Sequence, residues 1–286
     1  MFVKEAENIK YAVIGDPVAH SVSPAMQNAA FMAAGLSERY GKYHVVPEKL
    51  AEFVEFARRN LLGFNATVPH KSALIGLLDE ITPEALAARS VNTVTVRGNR
   101  LYGDSTDGYG LETALKESFG FNIAGGRIVL LGAGGAAQAA AFEFVRRGAA
   151  EVTVINRTVS KAEALVRALA AVEGANTALT ALGNDEINQA AAAIAACDVV
   201  IQATSSGLHP DDAPPLALEI LREAPAIFDM IYKNTPVLQF AKNNNIPCAD
   251  GRLMLLHQGA KSFSIWTMRP AATAAMRDAL DEALSK

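Results

Sequence analysis

Cysteine is scarce: Cys197 and Cys248 are the only two in 286 residues. Two isolated cysteines exclude a disulfide framework and show no metal-ligand spacing; they fit reduced, mostly buried thiols in a cytoplasm. Positive charge is also short. The formal net charge is −4, so a broad nucleic-acid surface, which needs a basic excess, is not expected. No apolar run approaches the roughly 18 residues of a membrane span, and no membrane association is expected. The opening Met1-Phe2-Val3-Lys4-Glu5 lacks the charged and apolar regions of a signal peptide. The five histidines show no ligand spacing, and there is no Gly-x-Ser-x-Gly elbow, which points away from metal-dependent and nucleophilic hydrolysis. Repeats are absent, as are low-complexity tracts beyond alanine-rich helices.

What remains is an ordinary globular balance, half apolar and 20% charged. The length suits two domains of about 100–200 residues each. The richest stretch is Leu131-Gly132-Ala133-Gly134-Gly135-Ala136-Ala137. The apolar run Arg127–Leu131 before it reads as a buried strand. Gln138–Arg147 after it, closed by Gly148, reads as a helix with a glycine stop. Glu151–Ile155 reads as the next strand. Strand, glycine turn, helix, strand is the dinucleotide-binding unit, in which the glycines admit a pyrophosphate to the free N–H groups of a helix N-terminus. An NAD site carries an acid at the end of the second strand. Here that position reads Asn156-Arg157-Thr158, with Lys161 one turn on. A guanidinium there grips a 2′-phosphate and no carboxylate repels it, so the expected cofactor is NADP. The plainer alternative is that Arg157 and Lys161 decorate a solvated helix start.

Upstream, short strands alternate with helices. Strands are expected at Tyr11–Gly15, Tyr43–Val46 and Gly63–Val68, and a hairpin at Val91–Val96 and Arg100–Tyr102 around Gly98-Asn99. A helix is expected after Ser23-Pro24, with Ser23 as N-cap and Gly35 as its stop. Others are expected over Glu48–Asn60 and Asp107–Gly120. Strands are again expected at Asp198–Ile201 and Ala226–Asp229, and a helical segment from Met254 to Leu284 holds the only tryptophan, Trp266.

Three polar segments sit at strand ends and turns, where function concentrates. Ser21 and Ser23 put two hydroxyls beside a helix N-terminus, a natural carboxylate site; alone, Ser23 would be only a cap and Ser21 a turn residue. Thr67-Val68-Pro69-His70-Lys71 puts an amine past a strand end, although a lone lysine is usually a surface charge. Asp104–Gly108 would by itself be a turn feeding a helix, with Asp107 as N-cap.

Taken together, and over essentially the whole chain, these motifs resemble the shikimate dehydrogenase family. Gly15-Asp16-Pro17 through Pro24 is similar to its substrate-carboxylate motif, and Gly63 through Lys71 to its lysine motif. Val91-Asn92-Thr93, Thr106-Asp107-Gly108, the glycine turn with Asn156-Arg157-Thr158, Asp229-Met230-Ile231-Tyr232 and Gln258-Gly259-Ala260 follow in the family's order. The resemblance implies reversible, NADP-dependent oxidation of the shikimate 3-hydroxyl to 3-dehydroshikimate, a step of aromatic and chorismate biosynthesis. It implies that Ser21 and Ser23, helped by Tyr232, bind the carboxylate. Asn65, Thr67, Asn92 and Gln258 would orient ring hydroxyls, and Lys71 and Asp107 would handle the proton. It places the cofactor on Gly132, Ala133, Gly134, Gly135, Ala136, Asn156, Arg157, Thr158, Lys161, Thr204, Met230, Gly251 and Met254. Hydride departure needs a base within hydrogen-bond reach of the hydroxyl; which of Lys71 and Asp107 carries the proton stays open.

The implied fold is α/β: an N-terminal α/β substrate domain (1–106), a Rossmann-type NADP-binding domain (107–250), and a C-terminal helical segment (251–286) returning to the first domain. The partners implied are the small-molecule substrate and, in assembly, a monomer or homodimer. Four positions depart from the family pattern: Arg252-Leu253 replaces Leu-Gly, Met268 replaces a glycine, and Ser105 replaces an asparagine. A quinate/shikimate dehydrogenase paralogue is therefore the nearest alternative, and a non-catalytic NADP-binding sensor a more distant one.

Overall fold

The structure is a computed structural model that describes residues 8–209 and 211–285; the opening residues 1–5 lie outside them. In chain order the elements are β1 (Ile9–Gly15), α1 (Ser23–Ala33), β2 (Arg39–His44), α2 (Leu50–Asn60), β3 (Gly63–Ala66), β4 (Glu80–Ile81), α3 (Pro83–Ala87), β5 (Thr93–Arg97), β6 (Arg100–Asp104) and α4 (Asp107–Phe119). Next come β7 (Arg127–Leu131), α5 (Gly135–Arg146), β8 (Glu151–Asn156), α6 (Val159–Ala170), β9 (Ala178–Gly183), α7 (Ile187–Ala196) and β10 (Val199–Gln202). The chain closes with β11 (Ile227–Asp229), α8 (Pro236–Asn243), β12 (Cys248–Ala249), α9 (Arg252–Thr267) and α10 (Thr273–Leu284).

The chain divides into two compact units. One runs to Gly110 and resumes at Leu255; the other is the continuous stretch Leu111–Met254. Each break falls four residues past the boundary read from the sequence. At the first break the reason is local: Asp107, which opens α4, is bonded to Lys71 and Asn92, so the first turn of that helix belongs with the first unit.

In the first unit the sheet order is β2-β1-β3-β5-β6-β4. β1 pairs in parallel with β2 and β3, and β5 is antiparallel to both β3 and β6. Phe53, Phe64, Leu74, Val94 and Leu101 fill one core. α10 packs on α1, and α9 is anchored by Trp266, whose Nε1–H donates to the Val94 carbonyl at 3.0 Å. The C-terminal segment thus returns to the first unit. It is two helices rather than one, because Met268 takes a left-handed φ of +56° and Pro270 follows, so the helical ladder cannot continue.

The second unit has an all-parallel sheet, β12-β11-β10-β7-β8-β9. Counted within the unit this is the 3-2-1-4-5-6 order of the doubly wound dinucleotide fold, with its switch point between β7 and β10. Strands buried on both faces explain why Ile128–Leu131 and Val199–Ile201 read as unbroken apolar runs.

Three local expectations are corrected. Ser23 is the first residue of α1 rather than its N-cap; Val22 precedes it, and the Ser21 hydroxyl accepts from the Ser23 N–H at 3.3 Å. β2 starts four residues earlier than Tyr43, because Arg39-Tyr40-Gly41 pairs with β1 despite its polarity. α5 starts at Gly135 rather than Gln138, since the glycine turn itself runs into the helix.

Candidate active site

In the first unit the end of β3, the start of β5, the first turn of α4 and the second turn of α9 bring four expected residues together. Lys71 Nζ donates to Asp107 Oδ2 at 2.7 Å, and both side chains are partly shielded, 31% and 15% exposed. Asn92 Nδ2 lies within donating distance of Asp107 Oδ1 (2.8 Å), Thr106 Oγ1 (3.0 Å) and Gln258 Oε1 (3.3 Å). Asp107 thus presents one oxygen to an ammonium and the other to an amide, which fixes its plane. A positioned amine beside a positioned carboxylate is the equipment for moving a proton to or from a hydroxyl.

Asn65 stands behind this group, buried. Its Nδ2 is within reach of the Asn92 carbonyl (2.9 Å), Thr93 Oγ1 (3.0 Å) and Ser262 Oγ (3.1 Å), and its Oδ1 accepts from Tyr40 OH at 2.7 Å. Asn92 Oδ1 accepts from the Thr106 N–H at 2.8 Å and from Thr93 Oγ1 at 2.9 Å. Sequence reasoning misses Tyr40, Thr93, Thr106 and Ser262 as supporting residues. One signal is available: Ser262 lies one helical turn beyond Gln258 on α9, and its hydroxyl donates to the Gln258 carbonyl at 3.0 Å. Burial pushes the Tyr40 phenol well above its ordinary pKa, so it remains a donor.

Thr67 is half-buried past the end of β3, its N–H bonded to the Ile14 carbonyl at 2.9 Å. Ser21 and Ser23 are half-buried at the start of α1. Tyr232 belongs to the second unit, just past β11, and burial raises its phenol pKa. His70 is fully buried, with Nε2 2.6 Å from the Val45 carbonyl, a structural position.

The second unit carries the expected cofactor residues at or past the carboxyl ends of β7, β8, β10, β11 and β12. Gly132 has φ +113°, and a Cβ there would stand 3.0 Å from Thr204 Cγ2 and 3.2 Å from the Ala203 carbonyl oxygen. This tight turn admits only glycine. Gly134 and Gly135 face open space; a side chain on either would fill the approach to the start of α5, which no side chain caps. Open backbone at an uncapped helix N-terminus suits a pyrophosphate. Ala133 is buried and Ala136 exposed at the same helix start.

Asn156 ends β8 and ties the turn by donating to the Thr158 carbonyl at 2.8 Å. Arg157, Thr158 and Lys161 are exposed beyond it. Among the described residues neither Arg157 nor Lys161 has an ion-pair partner, so both charges are available to an anion. Thr204, past β10, accepts from the Ser206 N–H at 3.1 Å. The Met230 N–H donates to the Gln202 carbonyl at 2.9 Å. Gly251 is buried where any Cβ would collide with the Met230 carbonyl oxygen. Met254 and Leu253 both pack on the core of this unit, and Arg252 is held by Asp250, Nε to Oδ2 at 2.9 Å. The two departures at 252 and 253 are thereby absorbed within the unit.

Comparison with known proteins agrees with the geometry. Residues 13–94 match a family model described as the shikimate dehydrogenase substrate binding domain. Residues 113–210 match one for shikimate / quinate 5-dehydrogenase, and residues 251–280 one for the shikimate 5′-dehydrogenase C-terminal domain. A relative from Geobacter metallireducens, named shikimate dehydrogenase (NADP(+)), is 43% identical over 258 residues, covering 89% of this chain and 90% of its own. The chain belongs to the shikimate dehydrogenase family.

Solved structures of the family superpose over nearly the full length. One shikimate dehydrogenase in complex with NADP+ has a TM-score of 0.86 and 36% identity, covering 96% of each chain. The Thermus thermophilus enzyme, in complex with NADP(H) and shikimate, has a TM-score of 0.84 and 33% identity, covering 96% of this chain and 99% of its own. Among the described residues no helix is long and apolar enough to cross a membrane.

Proposed function

We propose that this protein catalyses the NADP-dependent, reversible oxidation of shikimate at its 3-hydroxyl to 3-dehydroshikimate, run as a reduction in aromatic and chorismate biosynthesis. The observation that carries the reading is the Lys71–Asp107 pair at 2.7 Å, with Asn92 and Gln258 converging on it. When bound, NADP supplies the hydride acceptor. Gly132 through Ala136 would hold its pyrophosphate at the start of α5. Asn156, Arg157, Thr158 and Lys161 would hold the 2′-phosphate, and Thr204, Met230, Gly251 and Met254 would line the rest.

Ser21 and Ser23 hold the substrate carboxylate at the start of α1. Asn65, Thr67, Asn92 and Gln258 orient the ring hydroxyls. Lys71 and Asp107 both bond the reacting hydroxyl and exchange its proton, the hydrogen bond between them keeping both in place. The intact pair argues against a non-catalytic sensor, which needs neither residue. A monomer or homodimer in the cytoplasm suits a chain in which both cysteines are unpaired.

The deciding experiment is a set of initial rates of NADP and NAD reduction, with shikimate and with quinate. Rapid NADP reduction with shikimate and little with quinate is expected. Turnover of quinate equal to or better than shikimate, or a preference for NAD, would overturn the assignment in favour of a quinate/shikimate paralogue.

A further inference from the structure

Successive same-face residues of the edge strand β2 each grip a different part of the substrate side of the first unit. Tyr40, Lys42 and His44 alternate along the strand and so project to one face. Tyr40 OH donates to Asn65 Oδ1 at 2.7 Å. Lys42 Nζ donates to the carbonyl of Ala19. His44 Nε2 lies 2.6 Å from Asp16 Oδ1. The last two contacts fall on the loop 16–21, which leads into Ser21 and Ser23.

We propose that Lys42 and His44 are positioning residues that hold the loop 16–21, and with it the Ser21 and Ser23 hydroxyls, in register for a substrate carboxylate. The inference rests on the reading of those serines as the carboxylate site. The loop needs such a hold because its own backbone supplies little. The Asp16 N–H donates to the Val68 carbonyl at 3.1 Å and the Ser21 N–H to the Val18 carbonyl at 3.0 Å, while Pro17 has no N–H to offer. The strand that holds it is itself braced: Asn28 on α1 accepts from the Tyr40 N–H and donates to the Tyr40 carbonyl, both at 2.9 Å. β2 is therefore tied both to α1 and to the loop that leads into it, the loop ending on the Ser23 N–H to Ser21 Oγ contact at 3.3 Å. An ammonium on a carbonyl two residues before Ser21 also brings positive charge to an anion site without using up the serine hydroxyls.

The test is Lys42→Met, with Lys42→Arg and His44→Gln as companions, in the full chain. Loss of one charge-assisted bond predicts a shikimate KM raised about tenfold with kcat within about twofold, because the reacting pair is untouched. Lys42→Arg is expected to recover most of the lost affinity, and His44→Gln to show a smaller rise. In the same samples, amide exchange of the residues 18–21 segment is expected to quicken in Lys42→Met and not in Lys42→Arg. An unchanged KM, or a fall in kcat equal to the rise in KM, overturns the proposal, as does unchanged exchange. Should the parent protein not turn over shikimate, the functional reading fails while the exchange measurement still decides whether β2 holds the loop.

Discussion

Asp229 makes the stability of the Leu111–Met254 unit depend on pH in an unusual sense. Its carboxylate ends β11 with no exposed surface, and burial pushes its pKa up to about 6. Bonds from Thr235 Oγ1 (2.6 Å) and the Ile231 N–H (2.9 Å) act the other way without cancelling the burial. A folded pKa above the unfolded one means that folding takes up a proton between the two values. The contribution is fully present below the unfolded pKa near 4 and is lost as pH rises through about 6. Between pH 7 and pH 5 this single group adds about 1 kcal/mol of stability, at 1.36 kcal/mol per pKa unit. Asp79, Asp198 and Asp212 have lowered pKa values and lose their contributions only below the ordinary carboxylate range, outside that window. The assay is urea unfolding at pH 5, 6, 7 and 8, followed by circular dichroism, for the parent and Asp229→Asn. The difference in unfolding free energy between the two proteins should shift toward the parent by about 1 kcal/mol from pH 7 to pH 5. A pH-independent difference would refute the reasoning.

Lys71→Ala is expected to lower kcat by about 100-fold or more with a smaller effect on KM, the usual scale for losing a general acid–base partner; near-normal kcat in steady-state kinetics would remove Lys71 from the chemistry. Arg157→Ala should raise the KM for NADP by about tenfold or more and leave that for NAD unchanged, since only NADP carries the 2′-phosphate. Equal effects on both cofactors would return Arg157 to a plain surface role. Met268 is 80% exposed and sits at φ +56°, so its side chain buries little while its backbone is strained. Met268→Gly is expected to stabilise the fold by roughly 0.5–1 kcal/mol, the relief of left-handed strain less the added entropy of glycine. Differential scanning calorimetry should show a rise of about 2 °C, and no rise would mean that the Met268 side chain makes up the difference.

The dinucleotide unit is legible in the sequence because its signals are local: apolar strands, a glycine turn and an unbroken helix within about thirty residues of chain. β9 is not, since Ala178-Leu179-Thr180-Ala181 alternates half-exposed with exposed positions and offers little apolar contrast. The start of β2 is hidden because its first residues, Arg39 to Gly41, are drawn into the sheet by pairing with β1 rather than by their own propensity. At the site, Lys71 and Asp107 are found through motifs whose order resembles a known family. Their 2.7 Å contact spans 36 residues of sequence, a separation no periodicity reveals. Tyr40 and Ser262 go unseen for the same reason, and Thr93 and Thr106, though inside the motifs, show no role of their own there: ordinary polar residues acquire one only when folding sets them against Asn65 and Asn92.

The two units also differ in when they can exist. Leu111–Met254 is one continuous stretch and is complete once its last strand has been synthesised. The other unit is split, and its helices α9 and α10 come from the far end of the chain. On a ribosome that adds about 5–20 residues per second, the dinucleotide unit is free to fold while its companion still lacks Trp266 and Gln258. The Lys71–Asp107 pair can form from residues that precede the second unit, but Asn92 waits for Gln258, which follows that unit in sequence. Synthesis order alone therefore delays the Gln258 contact, though not the reacting pair, until the Leu111–Met254 unit has been made.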